Sequence, residues 1–334
     1  MTLRFDSSPS PVSRETEREL GGALVGEPSS GAVPPWPVQR VFAPLLGATS
    51  AAIHETWLTD QPVTSGVSEA IVWRRSGGLL YGVVELDEAD FDATAGSTLL
   101  QAASEEAYRR IFRLLDAEQV PHLWRVWNYL SAINLETNGL ERYRQFNVGR
   151  QDAFLEYHRG ATGNVPAACA IGLAGSPLSV AFMAGTTPAI PLENPRQISA
   201  YNYPADYGPR SPTFSRGALV YPQGQELLFI SGTASIVGHE TVFRGDAIGQ
   251  CREAMRNIEA VVGEANRLGR TGPYVLAELS YRVYVRHAAD FRAIRETLVP
   301  LIGDAEIITV QADVCRHDLL LEIEAMASHV LEES

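Results

Sequence analysis

The chain has 334 residues, a length that at roughly 150 residues per domain accommodates about two domains. With 27 Lys and Arg against 40 Asp and Glu, its formal net charge of −13 argues against a grip on nucleic acid or anionic lipid through bulk electrostatics, so any anionic ligand must meet a local cluster of arginines. A hydrophobic share of 45% fits a globular chain, and apolar runs such as residues 319–321 are strand-sized, too short to cross a bilayer. Residues 1–36 are rich in Ser, Pro, Gly and Glu and end in Val33-Pro34-Pro35-Trp36, which reads as a flexible N-terminal arm. No apolar leader follows Met1, and Cys169, Cys251 and Cys315 are widely spaced without a CxxC pair. The expectation is a cytoplasmic protein with no zinc site of the usual kind.

Beyond the arm, strand-like and helix-like stretches alternate, and the pattern repeats. Leu79-Leu80-Tyr81-Gly82-Val83-Val84 matches Leu227-Leu228-Phe229-Ile230-Ser231-Gly232 at an offset of 148 residues. Ala107-Tyr108-Arg109-Arg110-Ile111 matches Ala254-Met255-Arg256-Asn257-Ile258 at an offset of 147. Each opens a helix: Ala107, Ile111, Leu114 and Leu115 form one apolar stripe, and Ala254, Ile258, Val261 and Val262 the other. A strand (122–130 and 276–285), a second helix and a closing strand pair follow in each half, the pairs being 167–173 with 178–184 and 306–312 with 319–325. This order predicts an α+β fold of two tandem halves, residues 37–195 and 196–334. Residues 188–212, dense in Pro, Asn, Gly and Tyr, read as an irregular segment over the surface or in the cleft between halves.

The last strand is the most informative. Side chains alternate faces, so Leu321, Ile323 and Ala325 share an apolar face and Leu320, Glu322 and Glu324 the other. Either the two carboxylates are solvated, or Glu322 is desolvated, has a raised pKa and can deliver a proton. Residues 167–184 hold no Asp or Glu, so the first half offers no counterpart and one site per chain is expected. Cys315 precedes Glu322 by seven residues. Arginines stand among aromatics in Tyr143-Arg144-Gln145-Phe146-Asn147-Val148-Gly149-Arg150 and in the stretch 203–216, which includes Tyr207, Arg210 and Arg216. Guanidinium forks hold carboxylates and rings frame a flat body, which implies a small cyclic carboxylate. The stretch Ser231-Gly232-Thr233-Ala234-Ser235 lacks the ending of a phosphate loop, and neither GxSxG nor HExxH is present.

Residues 211–325, through Ser211-Pro212-Thr213-Phe214-Ser215, Leu228-Phe229-Ile230-Ser231-Gly232-Thr233, Asn257-Ile258 and Leu321-Glu322-Ile323-Glu324-Ala325, resemble the YjgF/Rid fold. The carboxylate-binding Arg that Rid proteins carry in the strand before the last is replaced here by the Ile307-Ile308 region, which speaks against imine hydrolysis. Taken with residues 143–150 and Asp313-Val314-Cys315-Arg316, the chain from about 40 to 330 resembles the chorismatases. That resemblance implies two tandem YjgF/Rid-like, chorismate-mutase-like α/β sandwich halves with mixed sheets covered by helices. It implies cleavage of chorismate with release of pyruvate and no cofactor, with Glu322 as the catalytic acid. A cysteine at position 315 resembles the branches that form 3-hydroxybenzoate, with or without 4-hydroxybenzoate; the hydrolytic branch makes a dihydroxycyclohexadiene carboxylate. Tyr143, Arg150, Tyr207, Arg210, Arg216 and Thr233 are the expected substrate contacts. A non-catalytic metabolite-binding protein is the competing reading, and the oligomeric state stays open between monomer and trimer.

Overall fold

The computed structural model describes residues 3–9, 18–27, 34–92, 97–175 and 177–331. Among the described residues the four α-helices are α1 (Leu99–Ala117), α2 (Arg142–Glu156), α3 (Ala247–Leu268) and α4 (Phe291–Ile302). Helices α1 and α3 start on side-chain caps: Thr98 Oγ1 accepts from the Gln101 N–H at 3.2 Å and Asp246 Oδ1 from the Gly249 N–H at 2.9 Å. Such a cap contributes about 1 kcal/mol. The apolar stripes read from the sequence face inward, Ala107, Ile111, Leu114 and Leu115 beneath α1 and Ala254, Ile258, Val261 and Val262 beneath α3.

The repeat is visible in the strand order. Beyond a two-residue edge strand, Asp313–Val314, one sheet runs Ala167–Leu173, His122–Ser131, Leu178–Gly185, Leu79–Leu86, Ile71–Ser76, Thr64–Ser68; the other runs Ile307–Gln311, Ser280–Val285, Leu321–Val330, Gln225–Thr233, Gly217–Val220, Ile190–Leu192. Position for position the two have the same connectivity. In each, one parallel pair forms across the second helix: Ala167–Leu173 with His122–Ser131 across α2, and Ile307–Gln311 with Ser280–Val285 across α4. Parallel neighbours need such a crossover, which explains why both halves carry a second helix at this point. Ile190–Leu192 already pairs with Gly217–Val220, so the second sheet begins a few residues before position 196. The rest of the segment 188–212 is short 3-10 turns and irregular chain, as expected.

Helices α1 and α2 cover the outer face of the first sheet and α3 and α4 that of the second, while the inner faces meet in a shared core. Trp57, Trp127 and Phe229 pack edge to face there, with centroids 6.0 and 6.3 Å apart.

The flexible-arm reading of residues 1–36 is corrected for residues 3–9 and 18–27, while residues 1, 2, 10–17 and 28–33 of that stretch lie outside the described residues. Leu3–Ser8 and Glu19–Gly26 are strands of a third, four-stranded sheet with Ala52–Thr59 and Val38–Val41. Its Leu3, Leu20, Val25 and Trp57 enter the same core as the inner faces of the two large sheets. Composition misleads here because Leu20, Leu24 and Val25 lie among glycines: Gly22 passes so close to the Glu55 carbonyl that a Cβ would lie 1.8 Å from it. That approach needs glycine, not flexibility.

Candidate active site

The strand Leu321–Val330 lies between Gln225–Thr233 and Ser280–Val285. Alternation sends Leu321, Ile323 and Ala325 into the core beneath α3 and turns Glu322 and Glu324 the opposite way. That second face is covered by the first sheet, leaving Glu322 3% and Glu324 5% exposed, so the solvated reading of the pair fails.

The two carboxyls meet different surroundings. Glu324 is held by Arg125 at one oxygen, and its other oxygen lies 3.3 Å from Arg282 Nη1 and accepts from the Tyr284 hydroxyl at 3.1 Å. Among the described residues Glu322 forms no ion pair; its partner is the Cys315 thiol, with Sγ 3.8 Å from Oε2. Burial, reinforced by the charge of Glu324, pushes the Glu322 pKa up to about 8, although Arg125, the Cys315 thiol and Arg216 oppose the shift. At neutral pH Glu322 is therefore mainly a neutral acid with a proton to donate.

Local backbone geometry seats this acid. Gly232, on the neighbouring strand, leaves room for the carboxyl: a Cβ there would lie 1.8 Å from Glu322 Oε1. Cys315 arrives from the opposite edge. After Gln311 the chain leaves the second sheet, and Asp313–Val314 pairs antiparallel with Ala167–Leu173 of the first. That crossing ties the two sheets together and drops Cys315 beside Glu322. Burial raises the Cys315 and Cys169 thiols above their ordinary range, so both are neutral groups and not nucleophilic thiolates.

Glu322 opens onto a cleft of ≈ 1150 Å³ between the halves, lined on one side by α2 and on the other by the irregular segment 203–216 and the Cys315 loop. Of the residues expected from sequence, Tyr143, Arg150, Tyr207, Arg216, Cys315 and Glu322 all line it. Two do not. Arg210 is turned outward, 44% exposed, and pairs with Asp152 at 3.0 Å. Thr233 is buried away from the cleft, its Oγ1 donating to the Ser231 carbonyl at 2.7 Å, because a register shift between Ile230 and Thr233 breaks the alternation along its strand. The structure adds Arg316, Tyr203 and Phe214. Their signal was present, since Arg316 adjoins Cys315 and the two rings lie in the arginine-aromatic stretch.

The cleft's cations divide into two kinds. Arg144 and Arg244 are ion-paired, with Glu141 and Asp318. Arg150, Arg216 and Arg316 have no carboxylate partner among the described residues. Arg150, 1% exposed, donates to Asn147 Oδ1 at 2.8 Å and lies over Phe146, with its Nε unpaired. Arg216, 5% exposed, donates to the Tyr203 hydroxyl at 2.7 Å and also keeps an unpaired Nε. Arg316 stacks on Tyr207 with its guanidinium 4.3 Å from the ring centre and donates to the His239 carbonyl at 2.8 Å. Buried guanidiniums without counter-charges are costly unless an anion completes them. Among the described residues no three His, Cys, Asp or Glu side chains gather as a metal site would require.

The fold and the cleft together define an α+β protein whose cleft sets a buried carboxylic acid beside arginines that have no carboxylate ion-pair partner among the described residues. Residues 55–184 match the family described as chorismatase FkbO/Hyg5-like, N-terminal. A chorismatase of Streptomyces hygroscopicus is 37% identical over 298 residues, 84% of each chain, and a 3-hydroxybenzoate synthase of the same organism is 34% identical over 292 residues, covering 84% of this chain and 83% of that one. The crystal structure of a chorismatase superposes with a TM-score of 0.85 at 34% identity, covering 98% of both chains. The chain belongs to the chorismatase family.

Proposed function

We propose that the protein is an enzyme that cleaves chorismate, with Glu322 as the general acid and Arg150, Arg216 and Arg316 as the groups that receive its two carboxylates. The observation that carries this reading is the contrast within the cleft: a neutral buried acid faces three guanidiniums that lack carboxylate partners. A dianion supplies the missing counter-charges without itself needing the acid's charge.

Glu322 transfers its proton to the methylene carbon of the enolpyruvyl ether, giving an oxocarbenium ion. The ring hydroxyl then attacks the adjacent ring carbon as the C–O bond to the pyruvyl group breaks. Pyruvate leaves, the hydroxyl proton returns to the glutamate, and the resulting epoxide opens and aromatises. Hydroxybenzoate and pyruvic acid together contain the atoms of chorismic acid, so no water is consumed. If water adds to the oxocarbenium ion instead, the products are pyruvate and the dihydroxycyclohexadiene carboxylate. The Cys315 thiol beside the acid, together with relatives that include a 3-hydroxybenzoate synthase, favours the internal route and the 3-isomer.

Incubation with chorismate, pyruvate detection by a coupled assay and chromatography of the aromatic product test this. Pyruvate and 3-hydroxybenzoate are expected in equal amounts. Replacement of Glu322 by Gln is expected to lower turnover by 10²–10⁴-fold, the range for a general acid; undiminished turnover would remove the acid role, and binding without turnover in the native protein would favour a metabolite-binding function.

A further inference from the structure

Glu324 takes no part in the reaction as drawn, although it lies two residues from Glu322 on the same face of the same strand. It anchors a closed charge cluster that joins all three sheets. Arg125 of His122–Ser131 holds it from the first sheet, and Arg282 of Ser280–Val285 bridges it to Glu55 of the N-terminal sheet. Tyr129 and Tyr284 complete the cluster, their hydroxyls 2.7 Å apart and the Tyr129 hydroxyl 2.7 Å from Arg282 Nη1. Every charged member is less than a tenth exposed. Two guanidiniums and a hydroxyl bind the Glu324 carboxyl, and the formal charges of the cluster, two cations and two anions, cancel.

We infer that Glu324 is a positioning residue for the reaction: its locked negative charge adds to burial in keeping the proton on Glu322 until substrate takes it. This rests on the acid role proposed above. Carboxylates on one strand face at i and i+2 lie roughly 7 Å apart, and in a core of low dielectric the first charge opposes the second. The other groups around Glu322 do not supply this effect. Cys315, Cys169 and Tyr143 are neutral, and Arg125, Arg216, Arg150 and Arg316 act in the opposite sense, favouring the anion.

The test is the alkaline limb of kcat/KM against pH, which the native protein is expected to show near pH 8. In Glu324→Gln the like charge is gone and Arg125 is uncompensated, so the limb should fall by about one pH unit. In Arg125→Met the limb should rise by a similar amount. The double variant removes the pair as a unit, which buried cores tolerate better than the loss of one partner. Its limb should fall by less than that of Glu324→Gln, and it carries the test if either single variant does not fold. A purely structural role would lower activity at every pH and leave the limb in place. An unmoved limb in the folded variants, or one that moves the same way in both single variants, overturns the inference. With Glu322→Gln inactive, that outcome leaves the acid role standing, whereas an active Glu322→Gln removes the basis of both.

Discussion

A carboxyl whose pKa is pushed to about 8 is a liability to the fold as well as an acid. The native state binds the Glu322 proton more tightly than the unfolded chain, where the ordinary value near 4.5 applies. The associated stability is therefore fully present below pH 4.5 and drains away as pH rises towards 8. Near pH 7 the deficit is about 3 kcal/mol, one pKa unit being about 1.4 kcal/mol. The neutral amide of Glu322→Gln has no proton to lose. This variant is expected to unfold at a higher temperature or urea concentration than the native protein at pH 7, with the difference vanishing near pH 4.5. Equal midpoints at pH 7 would show that Glu322 is not held neutral. Cys315 acts at the same scale. Its thiol lies against Oε2 of the acid. Cys315→Ala is expected to shift product from hydroxybenzoate towards the dihydrodiol, read by chromatography, and an unchanged ratio would remove the cysteine from product choice.

At the scale of elements, the acid depends on its neighbour strand. Gly232→Ala places a methyl group where Glu322 Oε1 now lies, while the strand's backbone needs no special conformation there. Turnover is expected to drop by about 100-fold from the misplaced acid, with the secondary structure unchanged by circular dichroism. Full activity would mean that Glu322 works from another rotamer. The same strands show what the sequence could disclose. Periodicity decides which face of a regular element is buried, so the stripes of α1 and α3 and the shared face of Glu322 and Glu324 were legible. The expectation for Thr233, which came from the family resemblance, failed because a bulge turns its side chain away from the cleft. That for Arg210 failed because irregular chain has no period: six residues separate it from Arg216, yet one side chain turns outward to Asp152 and the other into the cleft. Whether Glu322 faced solvent or another sheet was beyond the sequence. The answer lies in the packing of one half on the other, and no local pattern encodes that.

For the whole molecule, the decisive feature is that three sheets close on one core, with two of the third sheet's four strands supplied by segments that composition assigned to an arm. The chain is tied in at its start: the Gln225 side chain accepts from the Leu3 N–H at 2.6 Å and donates to the Leu3 carbonyl at 3.0 Å. Leu3, Leu20 and Val25 are each at most 2% exposed, and burying side chains of this size contributes roughly 1.5–3 kcal/mol apiece. Set against a net stability of about 5–15 kcal/mol, their loss together with the bared edges of Ala52–Thr59 and Val38–Val41 leaves little in reserve. Deletion of residues 1–27 is therefore expected to give an insoluble chain, or one whose thermal midpoint falls by more than 10 °C, measured by soluble yield and calorimetry. The pH dependence of the remaining activity should change too, because Glu55, the partner of Arg282, belongs to the sheet that the deletion dismantles. A soluble truncated enzyme with the native midpoint and the native pH profile would mean that the third sheet is a covering that the core does not need.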